Sequence, residues 1–482
     1  MFYLITRALA RSLILIAAAG VPVHVNAYGQ EPSTKEGIVT RTAATTSRSH
    51  DYDAVAATVE PLGTATSRYL DSFQGASSDD LVRRALTTNA DLAAARLDIE
   101  RARARVRQAG LRANPTFDFE QSTGRFTDSP GERETTIGFA LPLEVSGQRQ
   151  KRVNLAQAEL EAAEAEIADR ERRLAADVRG AYAETLAAIR ELSITEGINN
   201  IDVQTATIVA ARVTEGESAP LELNLLRAEV DRLRSRRALV EGRLQATLLR
   251  LKSLSGIASE EPLRIREDLT SPPSYKPSGS LEEAMDAALR IRPDVRLARL
   301  TEKVAQAGME LARAQARPDV TAFTKYSTNR TVIDNTVVGA LRDKDKVLSF
   351  GVSVSLPLFN RNQGGKAEAA TLIAQAQRRR EFVEQIVRAE VRSAFARYEA
   401  AQAALNIFEQ GVLARSTENI KSMRGGYELG AFRMTELLSE QRRLLDSQRE
   451  YTEALTERYK ALSDLLSAIG APADAGGRQK KE

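Results

Sequence analysis

Proton transfer, nucleophilic attack and metal binding near neutral pH fall mostly to histidine and cysteine, and this chain of 482 residues has two histidines and no cysteine. His24 sits in an apolar leader and His50 in a Ser/Thr-rich stretch, so neither belongs to a segment that reads as ordered core. Zero cysteine removes disulfides, thiolate nucleophiles and Cys-ligated metals together. Zinc would lack its usual ligands, and acid–base work would be left to carboxylates or lysines. Apart from Met1, the remaining soft donors are Met285, Met309, Met423 and Met434. We therefore expect no catalytic residue, no cofactor and no resident metal. The 68 basic and 65 acidic residues nearly balance, at a net charge of +3, which is not the clustered basic face of a nucleic-acid binder.

The elements that carry these residues are legible from periodicity. At the start, Arg7 and Arg11 precede the apolar run Leu13–Ala19, and Val25-Asn26-Ala27 offers small residues for cleavage. This is the pattern of a secretory signal over 1–27; a short N-terminal anchor is the alternative. Residues 28–78 are expected to be a flexible extension, and 471–482 a disordered tail. No later run reaches the length of a membrane-spanning helix, which leaves either a soluble exported protein or a β-barrel.

Between these ends the chain repeats itself. Asn89-Ala90-Asp91-Leu92 answers Arg292-Pro293-Asp294-Val295, and Asn114-Pro115 answers Arg317-Pro318. Leu141-Pro142-Leu143 pairs with Leu356-Pro357-Leu358, Glu215-Gly216 with Leu429-Gly430, and Ser255-Gly256 with Ile469-Gly470. The order and near-constant spacing point to two structural repeats, 79–256 and 281–470, joined by a linker at 257–280. Proline is absent from 143–219 and 358–471, and good helix formers fill both spans. Helices are expected at 79–113, 150–213, 218–255, 281–316, 363–427 and 433–468. A helix of some 64 residues would run roughly 95 Å, matched by two shorter helices laid end to end.

Between the paired prolines the period changes to two. Leu348, Phe350, Val352, Val354 and Leu356 alternate with Ser349, Gly351, Ser353 and Ser355, and Phe117 and Phe119 alternate with Asp118 and Glu120. Hairpins are thus expected at 116–142 and 319–357, with polar loops near 124–133 and 329–346. Seven phenylalanines (117, 119, 126, 139, 323, 350, 359) lie in or beside them, as a lipid-facing girdle requires. Four strands cannot close a barrel alone, so several chains would share one, and three chains give twelve strands.

With these landmarks in order, the chain resembles the TolC-type outer-membrane efflux proteins over about 79–470. The stretches Leu141–Arg149 and Pro357–Gly364 resemble the cobalt–zinc–cadmium exporters within that family. The resemblance implies a mainly α fold with a membrane β-barrel: a homotrimer with a shared 12-stranded barrel in outer-membrane lipid and a coiled-coil helical tunnel in the periplasm. It implies a passive efflux conduit, opened at its periplasmic tip by a periplasmic adaptor and an inner-membrane resistance–nodulation–division pump, and no nucleic acid. Carried onto this sequence, the adaptor-docking tip comprises Gly216, Ala219, Pro220, Leu221, Gly430 and Met434. Gate residues would be Tyr427, Glu222, Glu436 and Arg433, with three copies of Glu436 forming an acidic ring. Gly425-Gly426 could serve as a hinge. Selectivity for a metal cargo is not written into the residues, since the segments that read as ordered supply no imidazole or thiolate. A drug-efflux or type I secretion channel is the alternative cargo class, and a secreted coiled-coil rod the alternative of another class.

Overall fold

The computed structural model describes residues 67–126, 132–270, 280–333 and 341–471. The signal at 1–27, most of the 28–78 extension and the tail from 472 lie outside them. Nine α-helices and four strands are named here: α1 Ser78–Thr88, α2 Ala90–Ala109, β1 Thr116–Thr123, β2 Arg133–Leu143, α3 Gln148–Thr214 and α4 Pro220–Leu254. The second half follows the same order with α5 Leu281–Ile291, α6 Pro293–Ala314, β3 Asp319–Ile333, β4 Leu341–Ser355, α7 Gln363–Ile407, α8 Leu413–Glu428 and α9 Met434–Ile469.

α3 has 67 residues, about 100 Å at the usual rise. Along its length it packs on α1, α2 and α4, as two short helices laid against a long one require. It also meets α6 and α9 from the other repeat. Its inward stripe, Ala175, Val178, Tyr182, Leu186, Ile189 and Leu192, is buried against Leu81 and Val82 of α1 and Val240, Leu244 and Leu248 of α4. Alanine at Ala158, Ala165, Ala181 and Ala188 is sealed in the same seams and lets helices approach closely.

Three expected helices differ in detail. The first and fourth are not continuous but break at Asn89 and Arg292, whose ψ angles of 120° and 131° are extended. Asn89 caps α2 by accepting the Leu92 N–H at 3.0 Å. Pro293 opens α6 and bars helical backbone at the residue before it. The long helix of the second half is interrupted between α7 and α8 by a wider turn, Phe408–Val412. There Glu409 accepts the Tyr451 hydroxyl at 3.1 Å, and the Phe408 and Tyr451 rings lie 6.1 Å apart.

The breaks serve a packing purpose common to both repeats. Asn89 Nδ2 donates to the Leu254 carbonyl and Thr88 Oγ1 to the Ser255 carbonyl, both at 3.0 Å, capping the end of α4. In the second repeat Arg292 Nη1 donates to the Ala468 carbonyl at 3.0 Å and caps the end of α9. Gly256 and Gly470 follow these ends with φ of +64° and +79°, and each presses so closely on Thr88 or Arg292 that a Cβ would not fit. Residues at the end of the expected flexible extension are held as well: Leu70 and Ala76 bridge to Ile265, which is fully buried. The 257–280 stretch therefore contributes Ile257, Ile265 and Leu269 to the core rather than only linking.

The four strands form one antiparallel sheet in the order β1-β2-β3-β4, joining the two hairpins across the repeats. Its register stacks Phe117 beside Phe139, Phe139 beside Thr324 and Thr324 beside Phe350. One face therefore carries Phe117, Phe119, Ile137, Phe139, Leu141, Tyr326, Leu348, Phe350 and Val352, all exposed. The other carries Asp118, Glu120, Lys325 and the serines of β4. Phe323 is a correction to the girdle: it belongs to the polar face, where its ring lies over Gly351 and 5.9 Å from Lys325 Nζ. β3 and β4 have 15 residues each, so they extend well into the expected 329–346 loop.

Candidate functional site

The long helices reverse direction at two turns of one design. α3 passes through Gly216 at φ +79°, and α8 through Gly430 at φ +78°. The Glu217 N–H reaches back to the Arg212 carbonyl at 2.8 Å, and the Ala431 N–H to the Gly426 carbonyl at 2.7 Å. These bonds satisfy carbonyls that a helix end leaves open, and they need a left-handed residue where glycine stands. Pro220 occupies the first turn of α4, with its φ preset for the helix.

The two turns sit together over one apolar cluster: Val209, Leu223, Leu226, Ile420, Met434, Leu437 and Leu438. Tyr427 packs on this cluster and lies near the Glu222 carboxylate of the other repeat, so the two turns face one another there. Burial and then the Glu222 charge raise the Tyr427 pKa, against an opposing effect of Arg212. Glu436 does something different. It accepts the Arg433 backbone N–H at 2.8 Å and so caps the start of α9. Arg433 and Glu436 are thus joined through the main chain, and among the described residues no ion pair engages the Arg433 guanidinium.

Of the expected tip residues, Gly216, Ala219, Pro220, Leu221 and Gly430 are exposed, Leu221 at 67%. Met434 is not; at 1% exposure it supports the tip from below and offers no surface for docking. Two apolar residues that periodicity did not single out join the exposed set, Leu429 at 87% and Phe432 at 40%. The Phe432 ring lies against Gly426, leaving no room for a Cβ there, so Gly426 is a contact point. The paired glycines beside an aromatic were the available signal.

Below the cluster lies a layer of buried charge. Asp202 of α3, 1% exposed, accepts the Gln441 side-chain amide at 2.9 Å. Burial pushes its carboxyl up to about 6, with the Gln441 bond opposing and the Glu229 charge adding. Glu229 is also buried, but bonds from Arg232 and Arg442 hold it below the usual carboxylate range despite that burial. Among the described residues no three His, Asp or Glu side chains gather as a metal site, and no helix is long and apolar enough to cross a membrane.

Comparison with known proteins agrees with this geometry. The sequence profile of the family described as "Outer membrane efflux protein" matches residues 81–257 and 284–471. The cobalt-zinc-cadmium resistance protein CzcC of Cupriavidus metallidurans is 24% identical over 387 residues, covering 80% of this chain and 87% of its own. The nickel-cobalt-cadmium resistance protein NccC of Alcaligenes xylosoxydans xylosoxydans is 28% identical over 308 residues, covering 60% of this chain and 64% of its own. Among solved structures, CusC superposes with a TM-score of 0.69 at 23% identity, over 83% of this chain and 93% of that one. The last likeness is one of fold.

Proposed function

We propose, starting from the fact that this chain belongs to the outer membrane efflux protein family, that it is the channel component of a tripartite exporter and carries heavy-metal cations out of the cell. Its place is the outer membrane. The observation that carries the channel reading is the sheet. Among the described residues β1 and β4 each keep one edge without a partner strand, and one face is a continuous apolar band. An open sheet in lipid would strand its edge N–H and C=O groups, so the edges call for β1 and β4 of further copies. Three copies supply twelve strands, and nine residues from 348 to 356 are about what a tilted membrane strand needs.

The helices then form the periplasmic conduit, and the paired turns its closed end. The approach of Tyr427 to Glu222 acts as a latch between repeats, and exposed Leu221, Leu429 and Phe432 offer the apolar contacts an adaptor would grip. The energy for export comes from an inner-membrane pump that the adaptor couples to this tip. Cations are favoured as cargo because CzcC and NccC are named for resistance to such metals.

The test is the native mass of the protein extracted in detergent from isolated outer membranes. A heat-labile complex of three chains is the expected result. A monomer, or release with the soluble periplasm, would overturn the shared barrel.

A further inference from the structure

The register extends the sheet past its apolar band into a row of cations. On β3 and β4 the apolar face continues from Tyr326 and Leu348 to Thr328 and Lys346, then to Arg330 and Lys344, then to Val332 and Arg342. Arg133 of β2 stands beside Arg330 in the same row. Five cations, Arg133, Arg330, Arg342, Lys344 and Lys346, thus share the face of Phe119, Ile137 and Phe350, beginning one side-chain step, about 7 Å, beyond the band. Acids in the same rows take the other face: Glu134 pairs with Asn329, Asn329 with Asp345, and Thr331 with Asp343. All five cations are exposed, and none forms an ion pair among the described residues.

Such segregation needs a reason. Cations that only kept the strands soluble would gain by neighbouring the acids across the sheet. In these outer rows Glu134, Asp343 and Asp345 are turned to the polar face and the five cations to the lipid face. These rows lie at the strand ends farthest from the helices. On the reading above, in which the helices occupy the periplasm, that end meets the outer leaflet.

We infer that Arg133, Arg330, Arg342, Lys344 and Lys346 form a cationic collar that binds the phosphate groups of the outer-leaflet glycolipid, lipopolysaccharide. Arginine pairs bidentately with phosphate, and lysine adds point charge beside it. The apolar band immediately beneath receives the acyl chains of the same molecule, so one lipid spans both surfaces. Juxtamembrane cations bind anionic headgroups this way at other membrane faces.

The experiment uses the full-length protein purified from outer membranes, with lipid binding read by native mass spectrometry and by heat stability of the complex. Purified lipopolysaccharide, enzymatically dephosphorylated lipopolysaccharide and phosphatidylglycerol are the three probes. The wild type should retain and be stabilised by the first alone. Replacing all five cations with Gln should weaken that binding by about tenfold or more. If this variant does not accumulate, Arg342→Gln, Lys344→Gln and Lys346→Gln on β4 alone should still give a measurable loss. Asp343→Asn with Asp345→Asn on the opposite face should leave it intact. Equal binding by the collar variants, or equal binding of the dephosphorylated glycolipid or of phosphatidylglycerol, would overturn the collar while leaving the channel standing. A wild-type chain absent from the outer membrane would overturn both.

Discussion

Arg292 and Asp202 are both ionisable and both 1% exposed, and what faces them gives them opposite effects on stability. Arg292 has Asp294 at 2.6 Å, Glu390 at 2.7 Å and the Ala468 carbonyl at 3.0 Å, so its charge is met on every side. Arg292→Ala leaves Asp294 half-buried with only the more distant Arg172, at 3.9 Å, and uncaps α9; we expect a loss of about 3 kcal/mol, read by chemical denaturation. Arg292→Lys should recover only part, because an ammonium cannot reach all three acceptors in a fork. Asp202 has a single good donor, and its second carboxylate oxygen has no partner. Unfolded, the group ionises near 3.9; folded, at about 6. The folded chain therefore holds the extra proton between those values. The stabilisation is complete below the lower value and is lost as pH rises through the higher one. Asp202→Asn keeps the acceptor oxygen and removes the charge. It should raise the melting temperature at about pH 7.5, by up to about 3 kcal/mol in stability, and have little effect near pH 4.

At the scale of elements, the sheet and the helix breaks illustrate different kinds of information. The β4 alternation is a local pattern, and its exposed face follows directly from a period of two. Phe350, 84% exposed, should sit in lipid; Phe350→Lys should prevent outer-membrane assembly, while Ser349→Lys on the polar face should be tolerated. Fractionation of the two variants checks this. The outer parts of β3 and β4 do not show as strand in the sequence because the collar residues are polar, and polarity alone reads as loop. The helix breaks at Asn89 and Arg292 were visible as repeated landmarks but not as breaks. Asn and Arg are tolerated in helices, and the reason for the bend lies in carbonyls at Leu254 and Ala468, far along the chain.

At the scale of the molecule, the duplication brings one repeat's Tyr427 to the other's Glu222. On the proposed function, a contact of this kind between the turns would favour the closed state by roughly 1 kcal/mol, little enough for an adaptor to overcome. Tyr427→Phe and Glu222→Gln should each raise single-channel conductance of the purified protein in planar bilayers, with the double variant no more open than either alone. Glu436→Gln should have less effect on conductance, since its carboxylate is engaged in capping α9. In cells lacking the native gene, the wild type should restore growth on zinc, cobalt or cadmium; restored tolerance to organic drugs alone would favour the other cargo class.

Composition, proline placement and period fixed the long helices, the paired hairpins, the apolar sheet face and the glycine turns, because each depends on residues within a few positions of one another. The efflux-family likeness was legible for the same reason, in landmarks that recur in order. Tertiary structure alone decided which glutamate meets Tyr427, that Met434 is buried, that Phe323 turns to the polar face, and that Asp202 is sealed from water. Those outcomes depend on the register of strands and the azimuth of helices whose partners lie hundreds of residues apart. A slip of one residue would reverse a strand's faces, and that choice is made by the assembled sheet rather than by any segment of it.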